Sequence, residues 1–230
     1  MPEKRKPDNR LMTEERRRKR ALRRKRAIRN RVIFGLFISV FLILIIFLIR
    51  FLVIKFAPEA DSTTLTLRKN GSLRLEERVS ISSLSGQTMS IEKSLKSDIR
   101  SFNKNNKKKV HLVRINSHKD SLYVETTYPD IESYNKYSGY KLSLKDTSKI
   151  KEADQVFYKV DSGKKGKTFS AEKALKSGKK ILSLNENIKV SLPGDITAVS
   201  EGASVSGNMV TIKPADGNYD YAAVTYIIYK

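Results

Sequence analysis

Several groups of residues in this chain have types and spacings that could do chemistry. Gly163-Lys-Lys-Gly166-Lys167-Thr168 offers the amines and hydroxyl of a phosphate loop, with a strand before it and a helix after it. Such a loop needs a glycine where this chain has Asp161, whose carboxylate would face the phosphate oxygens, so a basic surface loop is expected instead. Ser90-Ile-Glu-Lys93, Ser101-Phe-Asn103 and Lys176-Ser-Gly178 imitate the motifs with which penicillin-recognising enzymes activate a serine by a lysine. Both serines fall on one small helix, however, and Ser90 is expected to cap it. His111 and His118 flank a hairpin turn with no second pair of ligands at helical or hairpin spacing, which argues against a metal centre. Acids are plentiful, and a pair such as Glu76 and Asp130 could meet across a sheet for glycoside hydrolysis. The chain has no cysteine, which excludes a disulfide framework, a thiol nucleophile and a lipidated cysteine. No catalytic residue, cofactor or metal ligand is assigned.

Tyrosine is the more suggestive residue. Tyr123, Tyr128, Tyr134, Tyr137 and Tyr140 fall within 18 residues, interleaved with Lys136 and Lys141. Amphipathic rings suit contact surfaces, so this cluster is the candidate binding face.

The elements that must carry these residues follow from hydrophobic period. Thr64-Leu-Thr-Leu67 and Ser72-Leu-Arg-Leu75 alternate around Asn70-Gly71 and read as a hairpin. Ile91, Leu95, Ile99 and Phe102 recur at helical spacing, and the polar stretch 103–109 stops that helix. Residues 110–115 and 122–127 form a second hairpin. Asp130 caps a short helix through Tyr137, ended by Gly139. Further strands are expected at 141–144 and 156–160, and a short helix at 170–177. From there the chain is strand and turn: 181–184, 188–192, 196–200, 209–213 and 221–229, the last apolar on both faces and therefore inside a sheet. The fold class is α+β, with strand-strand-helix units and a β-rich C-terminal part. It covers 64–230 as one domain, or as two lobes meeting near 141–161.

Charge and hydropathy place this domain. Of 230 residues, 46 are Lys or Arg and 24 are Asp or Glu, a formal charge of +22. Residues 1–31 hold 15 of the cations against four acids, a net of +11. Within that tail Arg16, Arg17, Arg18, Lys19, Arg20, Arg23, Arg24, Lys25, Arg26, Arg29 and Arg31 form a run with too few apolar residues for a core-facing stripe. Residues 32–54 follow, 23 residues in which Arg50 is the one charge. A helix of that length spans roughly 35 Å, enough for a bilayer core of about 30 Å. The stretch is longer than the apolar region of a cleaved signal peptide, and its flank, Lys55-Phe56-Ala57-Pro58, lacks a small-x-small cleavage site, so the anchor is expected to stay on. Fifteen cations before the helix against Arg50 and Lys55 at its far end put the N-terminus in the cytoplasm. The basic run then has a sufficient task in gripping anionic headgroups, and no nucleic-acid partner is expected. Residues 55–63 read as a tether. From residue 57 to the end, 29 basic and 20 acidic residues leave the outer part at +9, which suits anionic cell-wall polymers or envelope proteins as partners.

The first hairpin with its Asn70-Gly71 turn, the helix ending in Phe102-Asn103, the Asp130-Ile-Glu-Ser-Tyr134-Asn135 helix and the closing Tyr226-Ile-Ile-Tyr-Lys230 strand resemble small exported lipoproteins of clostridial Gram-positive bacteria. The resemblance implies a cell-envelope address and carries over no catalytic residue. It also implies that the membrane helix stands in for the lipidated cysteine of those proteins. The expected function is a single-pass membrane protein with a non-catalytic extracytoplasmic binding or scaffolding domain. The alternative is an envelope-modifying enzyme, a cell-wall hydrolase or transferase.

Overall fold

Alternating leucines put the first hairpin where the sequence expects it. In the computed structural model, which describes residues 34–53, 57–80, 88–118, 121–150, 155–212 and 224–230, β1 (Thr64–Leu67) pairs antiparallel with β2 (Leu73–Ser80). Leu65 lies opposite Leu75 and Leu67 opposite Leu73, all four buried. Gly71 turns the chain at a φ of +81°, a left-handed value that glycine adopts without a Cβ clash, and the Asn70 side chain accepts the Ser72 N–H at 3.1 Å.

β2 runs on to Ser80 and pairs with β4 (Ser121–Tyr128), which pairs with β3 (His111–Ser117). On its other side β1 runs parallel to β9 (Lys189–Ser191), more than a hundred residues away in sequence. β12 (Met209–Ile212) and β11 (Ala203–Ser206) complete a seven-stranded sheet in the order β11-β12-β9-β1-β2-β4-β3. The second sheet has β5 (Ser143–Asp146), β8 (Lys180–Leu184), β13 (Thr225–Tyr229), β10 (Ile196–Ser200), β6 (Phe157–Asp161) and β7 (Lys164–Phe169), in that order. β13 is bonded on both sides, so the final strand is interior as its two apolar faces require. Tyr221, read as the start of that strand, lies outside the described residues.

The main core lies between the sheets. Leu65, Leu75, Val190 and Val210 from the first meet Leu182, Leu184, Val199 and Ile227 from the second. Helix α2 (Thr88–Asn105) adds Leu95, Ile99 and Phe102, and α3 (Ile131–Ser138) adds Tyr134 and Tyr137. α4 (Ala171–Ser177) covers the other face of the second sheet with Ala174, against Phe157, Ile181, Ala198 and Ile228. The caps of the shorter helices follow the sequence. The Asp130 side chain accepts the Ser133 N–H at 2.8 Å, and Gly139 ends α3 in a left-handed turn. Ser90 departs from expectation: α2 begins at Thr88, so Ser90 sits inside its first turn, because neither Thr88 nor Met89 breaks a helix.

Residues Pro58–Lys230 form one unit. The preceding unit contains α1, Phe34–Val53, 20 residues with an 18-residue stretch of mean hydropathy 3.1, long and apolar enough to cross a membrane.

Gly178, just after α4, fills a place with no room for a side chain. A Cβ there would lie 2.5 Å from Ile228 Cγ2 and 2.8 Å from the Tyr229 carbonyl oxygen. Its backbone is extended, so any residue could adopt it and the obstacle is packing alone. Gly178→Ala is expected to cost on the order of 1–3 kcal/mol, seen as a lower thermal midpoint with unchanged secondary structure.

Candidate functional site

The face of the seven-stranded sheet turned away from the core is built by the residues that alternate with the leucines. On β2 these are Arg74 and Glu76; on β4, Tyr123 and Glu125; on β3, Arg114 and Asn116. Register sets Glu76 directly opposite Glu125, and Asn116 opposite Tyr123. Two carboxylates so close repel, and two guanidinium groups compensate them. Arg74 Nη2 is 3.1 Å from Glu76 Oε1 and its Nε 2.9 Å from Glu125 Oε1. Arg114 Nη2 is 3.3 Å from Glu125 Oε2, and its guanidinium stacks 4.6 Å from the centroid of the Tyr123 ring. The Tyr123 hydroxyl donates to Glu76 Oε1 at 2.7 Å and accepts from Arg114 at 3.0 Å. Burial and the neighbouring Glu76 carboxylate push that phenol up to about 12.

This charged face is covered. Residues 58–63, expected to be a tether, lie across it as a bound strap. Asn116 Nδ2 donates to Glu59 Oε1 at 2.6 Å, and His118 Nε2 lies 2.6 Å from Glu59 Oε2. Two residues on, Lys189 Nζ on β9 donates to Asp61 Oδ1 at 2.9 Å, and the Lys189 N–H donates to the Thr63 carbonyl at 3.0 Å. Charge and hydrogen bonding to acidic residues of the strap are the physical reason that it is not free linker. Between strap and sheet an open groove of about 420 Å³ remains. Its floor includes Thr66, Arg74, Glu76 and Ser191, and Met209 lies at its β12 side.

A second polar cluster lies inside the core. The Tyr134 hydroxyl donates to both oxygens of Glu186, at 2.9 and 2.7 Å, in the loop between β8 and β9. Burial pushes the Glu186 carboxyl up to about 7; the Tyr134 hydrogen bond opposes this and the nearby Glu77 carboxylate adds to it. Burial raises Glu77 as well.

The five tyrosines offered as a binding face do not share a surface. Tyr123 belongs to the charged cluster, and Tyr128 and Tyr134 are in the core, their rings edge to face at 5.1 Å. Tyr137 packs its ring edge on Phe102 at 5.4 Å, while Tyr140 is 49% exposed. Period-two alternation puts Tyr123 and Tyr128 on opposite faces of β4, and of the five only Tyr140 is about half exposed. The basic-tail residues from Arg16 to Arg31 lie outside the described residues.

The other motifs have structural tasks. Ser162 and Gly163 make the β6–β7 turn, and Gly166, Lys167 and Thr168 belong to strand β7, so no loop leads into a helix there. Asn103 clasps the backbone of Val110, donating to its carbonyl and accepting its N–H, both at 2.8 Å. Ser177 donates to the Ala174 carbonyl and to Thr197. Glu76 is engaged by Arg74 and Tyr123, whereas Asp130 caps α3 and pairs with Lys108, so the two acids do not work as a pair. His118 holds the strap. Among the described residues no three His, Asp or Glu side chains are grouped to hold a metal.

Arg114, Glu125 and the groove residues Thr66, Lys189 and Ser191 were not singled out in the sequence. The available signal was the charge on alternate positions of β2 and β4, Arg74 and Glu76 against Tyr123 and Glu125. The strap and the parallel β1–β9 pairing join distant segments, which no local pattern shows. No family model, curated protein or solved structure matches the chain, so what this site does must follow from its own chemistry.

Proposed function

We propose that the chain is a single-pass membrane protein with its N-terminus in the cytoplasm, and that Pro58–Lys230 is a non-catalytic binding or scaffolding module of the cell envelope. The observation that carries this reading is α1, a 20-residue apolar helix whose side chains are almost all exposed, behind a tail of net charge +11. An apolar surface of that size needs lipid around it, and the cations before it favour the cytoplasmic side.

The charged site supports binding over catalysis. A hydrolytic carboxylate pair needs one member to deliver a proton, and Glu76 and Glu125 are both engaged by guanidinium groups. The surplus of positive charge beyond the helix favours anionic envelope polymers at the module's open surface, with attraction screened over about 8 Å at physiological salt. Protease added to intact cells is expected to remove Pro58–Lys230 and spare the basic tail, as read by antibodies to each end. A protected C-terminal unit would overturn the orientation.

A further inference from the structure

We infer that the groove beneath the strap binds a neutral, hydroxyl-rich ligand, a saccharide unit of a glycan, and not the anionic polymers attracted by the module as a whole. The inference rests on reading Pro58–Lys230 as a binding module and names the class of ligand for this one site.

The charges around the groove disfavour an anionic ligand. Its walls carry three carboxylates, Glu59, Asp61 and Glu76, against two cations, Arg74 and Lys189, a net of −1 where the whole module is positive. Both cations are already paired, Lys189 with Asp61 at 2.9 Å and Arg74 with Glu76 at 3.1 Å. An incoming phosphate or carboxylate would have to break one of these pairs and leave a carboxylate facing it. A hydroxyl needs no such exchange. Each carboxylate oxygen can accept a second hydrogen bond, so a sugar hydroxyl can donate to Asp61 or Glu76 without displacing the resident cation.

The floor supplies the complementary groups. Thr66 on β1 and Ser191 on β9 are register partners across the parallel pairing and both line the groove. Neither hydroxyl has a hydrogen-bond partner among the described residues. Each can donate and accept, which matches the dual character of a sugar hydroxyl. Met209 gives an apolar, adaptable contact for the C–H face of a ring. The volume of about 420 Å³ falls within the size range of small-ligand sites.

The test uses the full chain in detergent micelles and N-acetylchitotetraose as a neutral probe, followed by saturation-transfer NMR and titration calorimetry. Saturable binding that is unchanged between low and high salt is expected. Thr66→Val combined with Ser191→Ala, which removes both hydroxyls and keeps the strand shape, is expected to weaken it by about tenfold or more. No saturable binding, binding that high salt abolishes, or binding unaltered in the double variant would each overturn the assignment. If the double variant loses its cooperative unfolding, Ser191→Ala alone must still weaken binding severalfold for the assignment to stand. Retention on a poly(glycerol phosphate) column is measured in parallel on the full chain with its cations from Arg16 to Arg31 replaced by Gln, so that the basic tail cannot supply the retention. Retention without saccharide binding would refute the groove ligand and leave the binding module intact, whereas loss of both would refute the module.

Discussion

Replacing Arg114 by methionine is expected to destabilise Pro58–Lys230 by about 3–5 kcal/mol, measured as a fall in the urea midpoint at constant slope. Arg114 and Glu125 are both nearly inaccessible, their side chains 6% and 8% exposed. Methionine matches much of the arginine stem but leaves Glu125 with one guanidinium in place of two, and it removes the donor and the stacked cation from Tyr123. The remaining charges, Arg74 against Glu76 and Glu125, no longer balance, and of these Glu125 is the one that water reaches least. Replacing Glu125 by leucine in the same chain restores the balance and is expected to recover most of the loss, since well-packed apolar groups often match a buried ion pair. A single variant within about 1 kcal/mol of the parent would show that the strap does not keep water from the cluster.

Glu186→Gln is expected to change the shape of the pH–stability curve. The folded carboxyl titrates at about 7 against an ordinary value of 4.5, so the folded state holds its proton more tightly than the unfolded one. The contribution is complete below 4.5, declines as pH rises from there through 7, and is gone above it, a loss of about 3 kcal/mol from this group. Burial raises Glu77 in the same direction. Opposing these on the acid side is Asp130. Burial pushes it up, but the Lys108 ammonium and the Ser133 N–H outweigh that and hold it at about 2, so its contribution is present above 3.8 and lost as pH falls through 2. Parent stability should therefore peak in mild acid. Glutamine keeps an oxygen for the Tyr134 hydroxyl and cannot ionise, so the variant should gain stability above pH 7 and lose most of the slope between 4.5 and 7. Urea midpoints of parent and variant across that range check it; parallel curves would mean that Glu186 ionises freely in the folded protein.

The sequence made the local elements legible and the site much less so. Leu65 and Leu75, the Asn70-Gly71 turn, the α2 stripe and the Asp130 cap are each specified by residues within a turn or two of one another, and each is found in place. β7 is hidden by its composition, since Lys164-Lys-Gly-Lys167 has no apolar alternation and is held by β6 as an edge strand. The Tyr123 environment is legible only once β2, β3 and β4 are in register. Charge on alternate positions normally means a solvated face. Here the strap inverts that meaning, and the strap consists of residues whose Pro, Ser and Thr content reads as linker.

Binding of the strap also determines how the module would answer a pull. Tension arriving along the chain at Pro58 reaches β1 after a few bound residues, and β1 is a central strand flanked by β2 and β9. The inter-strand hydrogen bonds run across the strand axis, so a force directed along β1 loads them together in shear and cannot peel them off singly. Before that, the Glu59 and Asp61 contacts would have to part, freeing six strap residues whose fully extended length is roughly 20 Å at most. Residues 58–63 would thus act as slack, a first and weak yield point that gives way under tension before any strand of the sheet is strained.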